Sequence, residues 1–202
     1  MAPGTKKTWR RSNDSAKNNK PVLVIIAGKS GAGKTTAAKF ISKKIHAKVF
    51  STDQIRRTKE FKTITAPYQK IGKIFPAWLR RRFYRELMRQ AREQLKRGRN
   101  VILDATFSEP WMFQMANHIA MGSSARVVAV EVIIKKLNER KIMERLTRRV
   151  KRDKGAAPPK TFWAYPSRHY LKIRSAITIR NDGTVATLRK KINTALRKRG
   201  VL

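Results

Sequence analysis

A glycine-rich segment near the start of the chain constrains its fold more than any other feature. Residues 28–35 read Gly-Lys-Ser-Gly-Ala-Gly-Lys-Thr and match the pattern G-x-x-x-x-G-K-[ST] without a substitution. The apolar run 21–27 before it predicts a buried strand, and residues 36–46 after it carry apolar side chains at helical spacing. A strand, a glycine loop and a helix in this order favour a phosphate-binding loop (P-loop), because glycines let backbone N–H groups face an anion at a positive helix end.

The residues of this loop predict how a nucleoside triphosphate is bound. The predicted nucleotide-binding residues are Gly28, Lys29, Ser30, Gly31, Ala32, Gly33, Lys34, Thr35 and Thr36. Lys34 can reach the β- and γ-phosphates, and the Thr35 hydroxyl can hold Mg²⁺. Asp104 follows the apolar run 101–103 and offers a carboxylate to the same metal. The sequence therefore predicts ATP and Mg²⁺ as cofactors.

Strand and helix patterns alternate along the chain and predict an α/β fold with a parallel sheet covered on both faces. Strands are expected at 22–27, 48–51, 101–103, 127–134 and 176–179, and helices at 35–46, 77–97, 110–121, 136–152 and 185–199. Prolines and a glycine within 57–76 predict a loop with short helical pieces. The predicted fold class is a three-layer P-loop NTPase sandwich, in which ligands bind at the carboxyl ends of the strands.

Two flanking features complete the predicted organisation. Residues 1–20 are basic and predict a flexible arm, with an organelle transit peptide as the alternative, and residues 21–202 form the P-loop domain. A helical lid is expected at about 150–170, where aromatic residues can stack on a base or seal a small core. These aromatic residues are Trp163, Tyr165, His169 and Tyr170. Arginines that precede the lid can neutralise charge on a transferred group, or they can form a solvated basic helix face. These arginines are Arg140, Arg145, Arg148 and Arg149.

The charge of the chain is its second major feature. Lysine and arginine number 49 against 12 aspartates and glutamates, which gives a formal net charge of +37. In a compact domain so many like charges repel one another, so a polyanionic partner is expected to neutralise them, and nucleic acid is the polyanion that fits best. There are two alternatives: the charge reflects a bias in amino-acid composition that is unrelated to the substrate, or the protein binds an anionic membrane surface.

Two absences narrow the classes of protein further. The chain has no cysteine, which excludes disulfides and thiolate metal sites, and no apolar run approaches the ~20 residues that span a membrane. A cytoplasmic or nucleic-acid-associated location without membrane insertion is expected. The sequence does not predict the oligomeric state.

Asp53 is the candidate catalytic carboxylate. It ends the second predicted strand, and Arg56 lies three residues further on. Asp53 can accept a proton from an attacking hydroxyl while Arg56 pairs with an acceptor phosphate. In the alternative interpretation Asp53 caps the helix that carries Arg56, and the two roles are compatible.

Taken together, these motifs resemble the P-loop kinases grouped as AAA-family ATPases with polynucleotide-kinase-like domains. Relatives include polynucleotide 5′-kinases, gluconate kinase, seryl-tRNA kinase and zeta-toxin kinases. The resemblance spans roughly residues 22–195, and the segments that carry it are 28–35, 51–56, 83–87, 98–107 and 144–149. In polynucleotide kinases the Asp of Asp-x-x-Arg is the general base and its Arg contacts the acceptor, which implies these roles for Asp53 and Arg56. The family's lid arginines look most like Arg145 and Arg149.

The resemblance implies an ATP- and Mg²⁺-dependent kinase that phosphorylates a hydroxyl. The leading acceptor is a nucleic acid 5′-OH or another RNA-borne hydroxyl. The alternatives are a small-molecule kinase tethered to nucleic acid by its basic surface and a nucleotide-regulated ribonucleoprotein assembly factor. Many relatives carry an arginine after the Asp-Ala-Thr segment, where this chain has Met-Phe-Gln-Met at 112–115, and this departure leaves the acceptor open.

Overall fold

The computed structural model describes residues 20–70, 75–134, 139–152 and 176–202. The strands in these ranges are β1 (Val22–Ala27), β2 (Lys48–Ser51), β3 (Val101–Asp104), β4 (Arg126–Ile133) and β5 (Ile177–Arg180). The helices are α1 (Lys34–Ile45), α2 (Thr52–Ile55), α3 (Lys59–Lys70), α4 (Ala77–Lys96), α5 (Pro110–Met121), α6 (Glu139–Arg152) and α7 (Val185–Lys198). Residues 1–19 of the basic arm predicted at 1–20, and the expected lid from residue 153 on with its four aromatic residues, lie outside the described residues.

The strands form one parallel sheet in the order β2-β3-β1-β4-β5. Every neighbouring pair is parallel, which confirms the predicted α/β class. In register, Asp104 pairs with Ile26 on one side and with Ser51 on the other. The carboxyl ends of β1, β2 and β3 therefore meet at one edge, where ligands bind in folds of this type.

Helices cover both faces of the sheet around two apolar clusters. On one face α4 and α5 pack over Leu23, Ile25 and Leu103, and on the other α1 and α7 pack over Val24 and Ile26. Helix α4 matches the helix expected at 77–97, and its apolar side chains Phe83, Leu87, Ala91 and Leu95 recur every four residues, share one side of the helix and are buried. None of the described helices combines the length and apolar character needed to cross a membrane.

Helix α3 corrects one sequence prediction. A loop with short helical pieces is expected at 57–76, but Lys59–Lys70 is a twelve-residue helix with Pro67 inside it. Packing overrides the local signal, since Phe61 is buried and its ring lies 5.3 Å from that of Phe83 on α4. The fully buried Thr65 donates its hydroxyl to the Lys62 carbonyl at 3.3 Å, so the turn also satisfies its own polar side chain.

Candidate active site

The loop between β1 and α1 has the backbone shape that a phosphate cradle requires. Gly28, Gly31 and Gly33 have φ values of 141°, 80° and 98°, in the region that favours glycine. A Cβ atom on Gly28 would lie 2.3 Å from the carbonyl oxygen of Val132 on β4. The central strand and its neighbour thus leave no space for a side chain where the loop begins.

Asn181 fixes the other end of the loop. Its Nδ2 atom donates to the carbonyl oxygen of Ala32 at 2.8 Å. A Cβ atom on Gly33 would lie 2.3 Å from the same Nδ2 atom, so glycine at this position makes room for the contact. The sequence predicts only a turn at 181–183, because an asparagine after a strand carries no signal of a partner 149 positions away.

Lys34 begins α1 and points back across the loop. Its Nζ atom donates to the carbonyl oxygen of Lys29 at 2.8 Å. The pKa of Lys34 is lowered from 10.5 to about 8, mainly by loss of solvent around the ammonium; Asp104 opposes the shift and the charge of Arg149 adds to it. The positive charge of Lys34 is therefore destabilised until another anion joins Asp104 beside it.

Thr35 and Asp104 provide the elements of a magnesium site. The Thr35 hydroxyl donates to Asp104 Oδ2 at 2.8 Å, and Asp104 is 6% exposed at the end of β3. Mg²⁺ in phosphate-transfer sites takes one or two protein oxygens together with phosphate and water oxygens. The hydroxyl and carboxylate beside the loop fit that donor set.

Ser51, rather than Asp53, caps helix α2. The Ser51 side chain accepts from the Gln54 backbone N–H at 3.1 Å, and Gln54 Oε1 accepts from the Ser51 N–H at 2.9 Å. This reciprocal pair is a capping box, and the Ser-x-x-Gln spacing in the sequence is its signal. The alternative interpretation of Asp53 as the cap is therefore wrong, and its carboxylate is available for other contacts.

Two arginines engage the Asp53 carboxylate. Arg56 Nη2 donates to one oxygen, and Arg149 Nη2 donates to the other. Arg56 is 8% exposed, with its guanidinium 5.9 Å from the ring centroid of Phe75 and 5.8 Å from that of Phe83. Arg56 thus holds Asp53 from within the protein, and Arg149 approaches from α6.

Helix α6 joins the site through Arg149 and through apolar contact with the loop. A Cβ atom on Gly31 would lie 3.1 Å from Ile142 Cγ2, which shows how closely α6 covers the loop. Arg145 is exposed on the same helix, and Arg148 lies 3.6 Å from Glu144 across an exposed ion pair. The described geometry therefore brings Arg149 to Asp53 and leaves Arg145 at the surface, whereas the side chain of Arg140 lies outside the described side chains.

Tyr84 positions the segment that follows Asp104. Its hydroxyl oxygen accepts the backbone N–H of Phe107 at 3.0 Å, and Phe107 is 1% exposed with φ of 50°. One residue earlier, the Thr106 carbonyl accepts the Gly28 N–H at 3.4 Å. Tyr84 of α4 thereby holds the segment that connects Asp104 to the start of the loop.

Comparison with known proteins places this architecture in a class. A family model described as an AAA domain, AAA_33, matches residues 23–169, and the chain belongs to that family. Uncharacterized proteins of Mycobacterium bovis and Mycobacterium tuberculosis are 32% identical to it over 108 residues. The match covers 52% of this chain and 22% of each relative, so the chain spans about a fifth of their length.

Solved structures share the fold across nearly the whole chain. A gluconokinase from Sinorhizobium meliloti superposes with a TM-score of 0.64 at 11% identity, covering 90% of this chain and 95% of its own. A sugar kinase from Janibacter gives 0.59 at 14% identity, with coverage of 90% and 95%. The Mycobacterium tuberculosis APS kinase gives 0.56 at 16% identity, with coverage of 88% and 98%. The fold is that of the P-loop kinases.

Proposed function

We propose that this protein is an ATP- and Mg²⁺-dependent phosphotransferase that phosphorylates a hydroxyl group. The observation that carries the proposal is the position of Asp53. Arg149 donates a hydrogen bond to the Asp53 carboxylate, and the charge of the same arginine acts on Lys34 in the loop. A carboxylate next to a phosphate cradle suits a group that accepts the proton of an attacking hydroxyl.

Each side chain has a defined part in this proposal. The backbone of the loop and Lys34 hold the phosphates, and Thr35 with Asp104 would hold Mg²⁺, which neutralises phosphate charge when bound. Asp53 takes the proton as the hydroxyl oxygen bonds to the terminal phosphorus and the bond to the leaving ADP breaks. Positive charge from α6 stabilises the transferred group.

A change of partner by Arg149 would open Asp53 to the acceptor. Each Asp53 oxygen engages a guanidinium in the described structure, and the release of one would leave that oxygen open to the attacking hydroxyl. Arg149 is the partner that can leave, because it is 32% exposed on α6 whereas Arg56 is 8% exposed among aromatic rings. A terminal phosphate beside Lys34 offers Arg149 an alternative anion.

The acceptor we propose is a nucleic acid 5′-OH or another RNA-borne hydroxyl. The formal charge of +37 and the resemblance to polynucleotide kinases support it. A small-molecule hydroxyl is the second candidate, because the proteins that share the fold include a gluconokinase, a sugar kinase and an APS kinase. In that case the basic surface serves only to tether the enzyme.

Transfer of labelled γ-phosphate from ATP distinguishes these candidates. We expect label on an oligonucleotide with a 5′-OH end, and none on the same oligonucleotide with a 5′-phosphate. Label on gluconate or another sugar alone would assign a small-molecule acceptor. Failure to label any hydroxyl, with Mg²⁺-dependent ATP binding intact, would refute the phosphotransferase proposal.

A further inference from the structure

Helices α1 and α7 pack side by side and form a surface whose charges have one sign. Neither helix contains an aspartate or a glutamate, as their sequences KTTAAKFISKKI and VATLRKKINTALRK show. The exposed cations of this α1–α7 face are Lys39, Lys43, Lys44, Arg189, Lys190, Lys191, Arg197 and Lys198. The salt bridges found among the described residues include none from this face.

Helix α4 on the opposite layer is basic in a different way. Arg89 hydrogen-bonds Glu86 at 2.7 Å and also reaches Glu93, and the contact with Arg89 lowers the pKa of Glu86. Arg82 pairs with Glu60 of α3 at 2.6 Å. Three of the seven cations on α4, Arg80, Arg82 and Arg89, thus pair with carboxylates, whereas the cations of the α1–α7 face form no salt bridge among the described residues.

The centre of the α1–α7 face brings two cations over one aromatic ring. Lys44 Nζ lies 6.0 Å from the Phe40 ring centroid, and Arg189 Cζ lies 5.8 Å from it. The half-buried ring attracts both cations, but their like charges repel each other. An anion close to both cations would relieve this repulsion.

We infer that the α1–α7 face binds the phosphate backbone of nucleic acid. Helix α7 has 14 residues and is therefore about 21 Å long, a length over which a duplex presents roughly 12 phosphate charges. A membrane-binding helix needs an outward apolar side, but both helices bury theirs in the core, Ile41 and Ile45 from α1 and Ile192 and Leu196 from α7. Val185 at the start of α7 is the one large apolar side chain exposed on the described part of the two helices.

This surface is separate from the proposed acceptor position. Asp53 belongs to α2, which contacts α4 on the sheet face opposite α1 and α7. Nucleic acid on the α1–α7 face is therefore held as an anchor, whichever hydroxyl the site phosphorylates. The inference does not depend on phosphotransfer, and binding measurements without ATP test it directly.

Paired substitutions test the assignment at constant total charge. The variant Lys44→Gln/Arg189→Gln removes two cations from the face, and Arg92→Gln/Lys96→Gln removes two exposed cations from α4 as the matched control. Anisotropy with a labelled single-stranded RNA of about 20 nucleotides gives affinity from about 50 to about 200 mM salt. We expect the first variant to lose about tenfold in affinity and ~1.4 in log–log salt slope, and the control to lose less than half as much.

A second pair on the same face, Lys43→Gln/Lys190→Gln, should reproduce the loss. Circular dichroism and ATP affinity equal to those of the unchanged protein establish that the variants are folded. Equal losses in the control and in both face variants would overturn the inference, because the charge would then act as a diffuse whole. Phosphatidylserine vesicle binding that the face variants lose while RNA binding persists would overturn it in favour of a membrane.

Discussion

The affinity for ATP should depend on pH through Lys34. The pKa of this lysine is lowered to about 8 in the nucleotide-free protein, first by loss of solvent and then by Arg149. Triphosphate in the loop favours the ammonium form, so binding above pH 8 requires uptake of a proton. Well below pH 8 the lysine is already charged and little uptake is needed, so the affinity falls as pH rises through 8.

The size of the expected change in ATP affinity follows from the shift in the pKa of Lys34. With a free-state pKa of about 8 and an ammonium that stays charged in the complex, affinity at pH 9 is ~8-fold lower than at pH 7.5. If the pKa of Lys34 in the ATP complex returns to its ordinary value of 10.5, the loss of ATP affinity at high pH is limited to roughly 300-fold, or about 3.4 kcal/mol. Working above pH 7.5 keeps the terminal phosphate mostly ionised, so its own titration contributes little.

Calorimetric titration of Mg²⁺-ATP in buffers of different ionisation enthalpy measures both affinity and proton uptake. We expect about 0.9 proton taken up per ATP at pH 9 and about 0.2 at pH 7.5. The variant Lys34→Arg is the control, since a guanidinium stays charged throughout and should give a flat profile. A wild-type affinity that is constant from pH 7.5 to pH 9 would refute the assigned environment of Lys34.

Three substitutions test other parts of the site. Asp53→Asn should lower phosphoryl transfer by about 10²–10⁴-fold and leave ATP affinity within about twofold. Label-transfer and ATP-binding assays on the same preparation measure both quantities, and only a mild loss of transfer would show that Asp53 is not the base. Gly33→Ala strains the backbone at φ of 98° and displaces the Asn181 amide from Ala32, so calorimetric titration should show weaker ATP binding, and unchanged affinity would contradict the described loop. Tyr84→Phe leaves the buried Phe107 N–H without its hydroxyl acceptor and should cost about 1–3 kcal/mol in urea unfolding, whereas an unchanged midpoint would show that another acceptor replaces it.

The parts of the fold that follow from local sequence are those with strong periodicity or a fixed motif. The loop at 28–35, the stripe on α4 and the helix Pro110–Met121 match their predictions because glycine geometry, apolar spacing and an N-terminal proline act within a few residues. The meeting of Thr35 with Asp104 also follows from sequence, since parallel strands bring their carboxyl ends together.

The remaining features depend on contacts that local sequence does not encode. Helix α3 forms despite Pro67 because Phe61 packs on α4, and that partner lies more than twenty positions away. Asn181 could not be assigned to the loop for the same reason. Ser51 differs, because its capping box is a local signal that was available in the Ser-x-x-Gln spacing.

The hydrogen bond from Asn181 to Ala32 has a consequence for biosynthesis. Asn181, whose side-chain amide holds the loop at Ala32, is translated 149 residues after Ala32 itself. The loop after β1 lacks this hydrogen bond until β5 has paired with β4 at the edge of the sheet. Translation must therefore pass residue 181 before the phosphate-binding loop can gain this hydrogen bond.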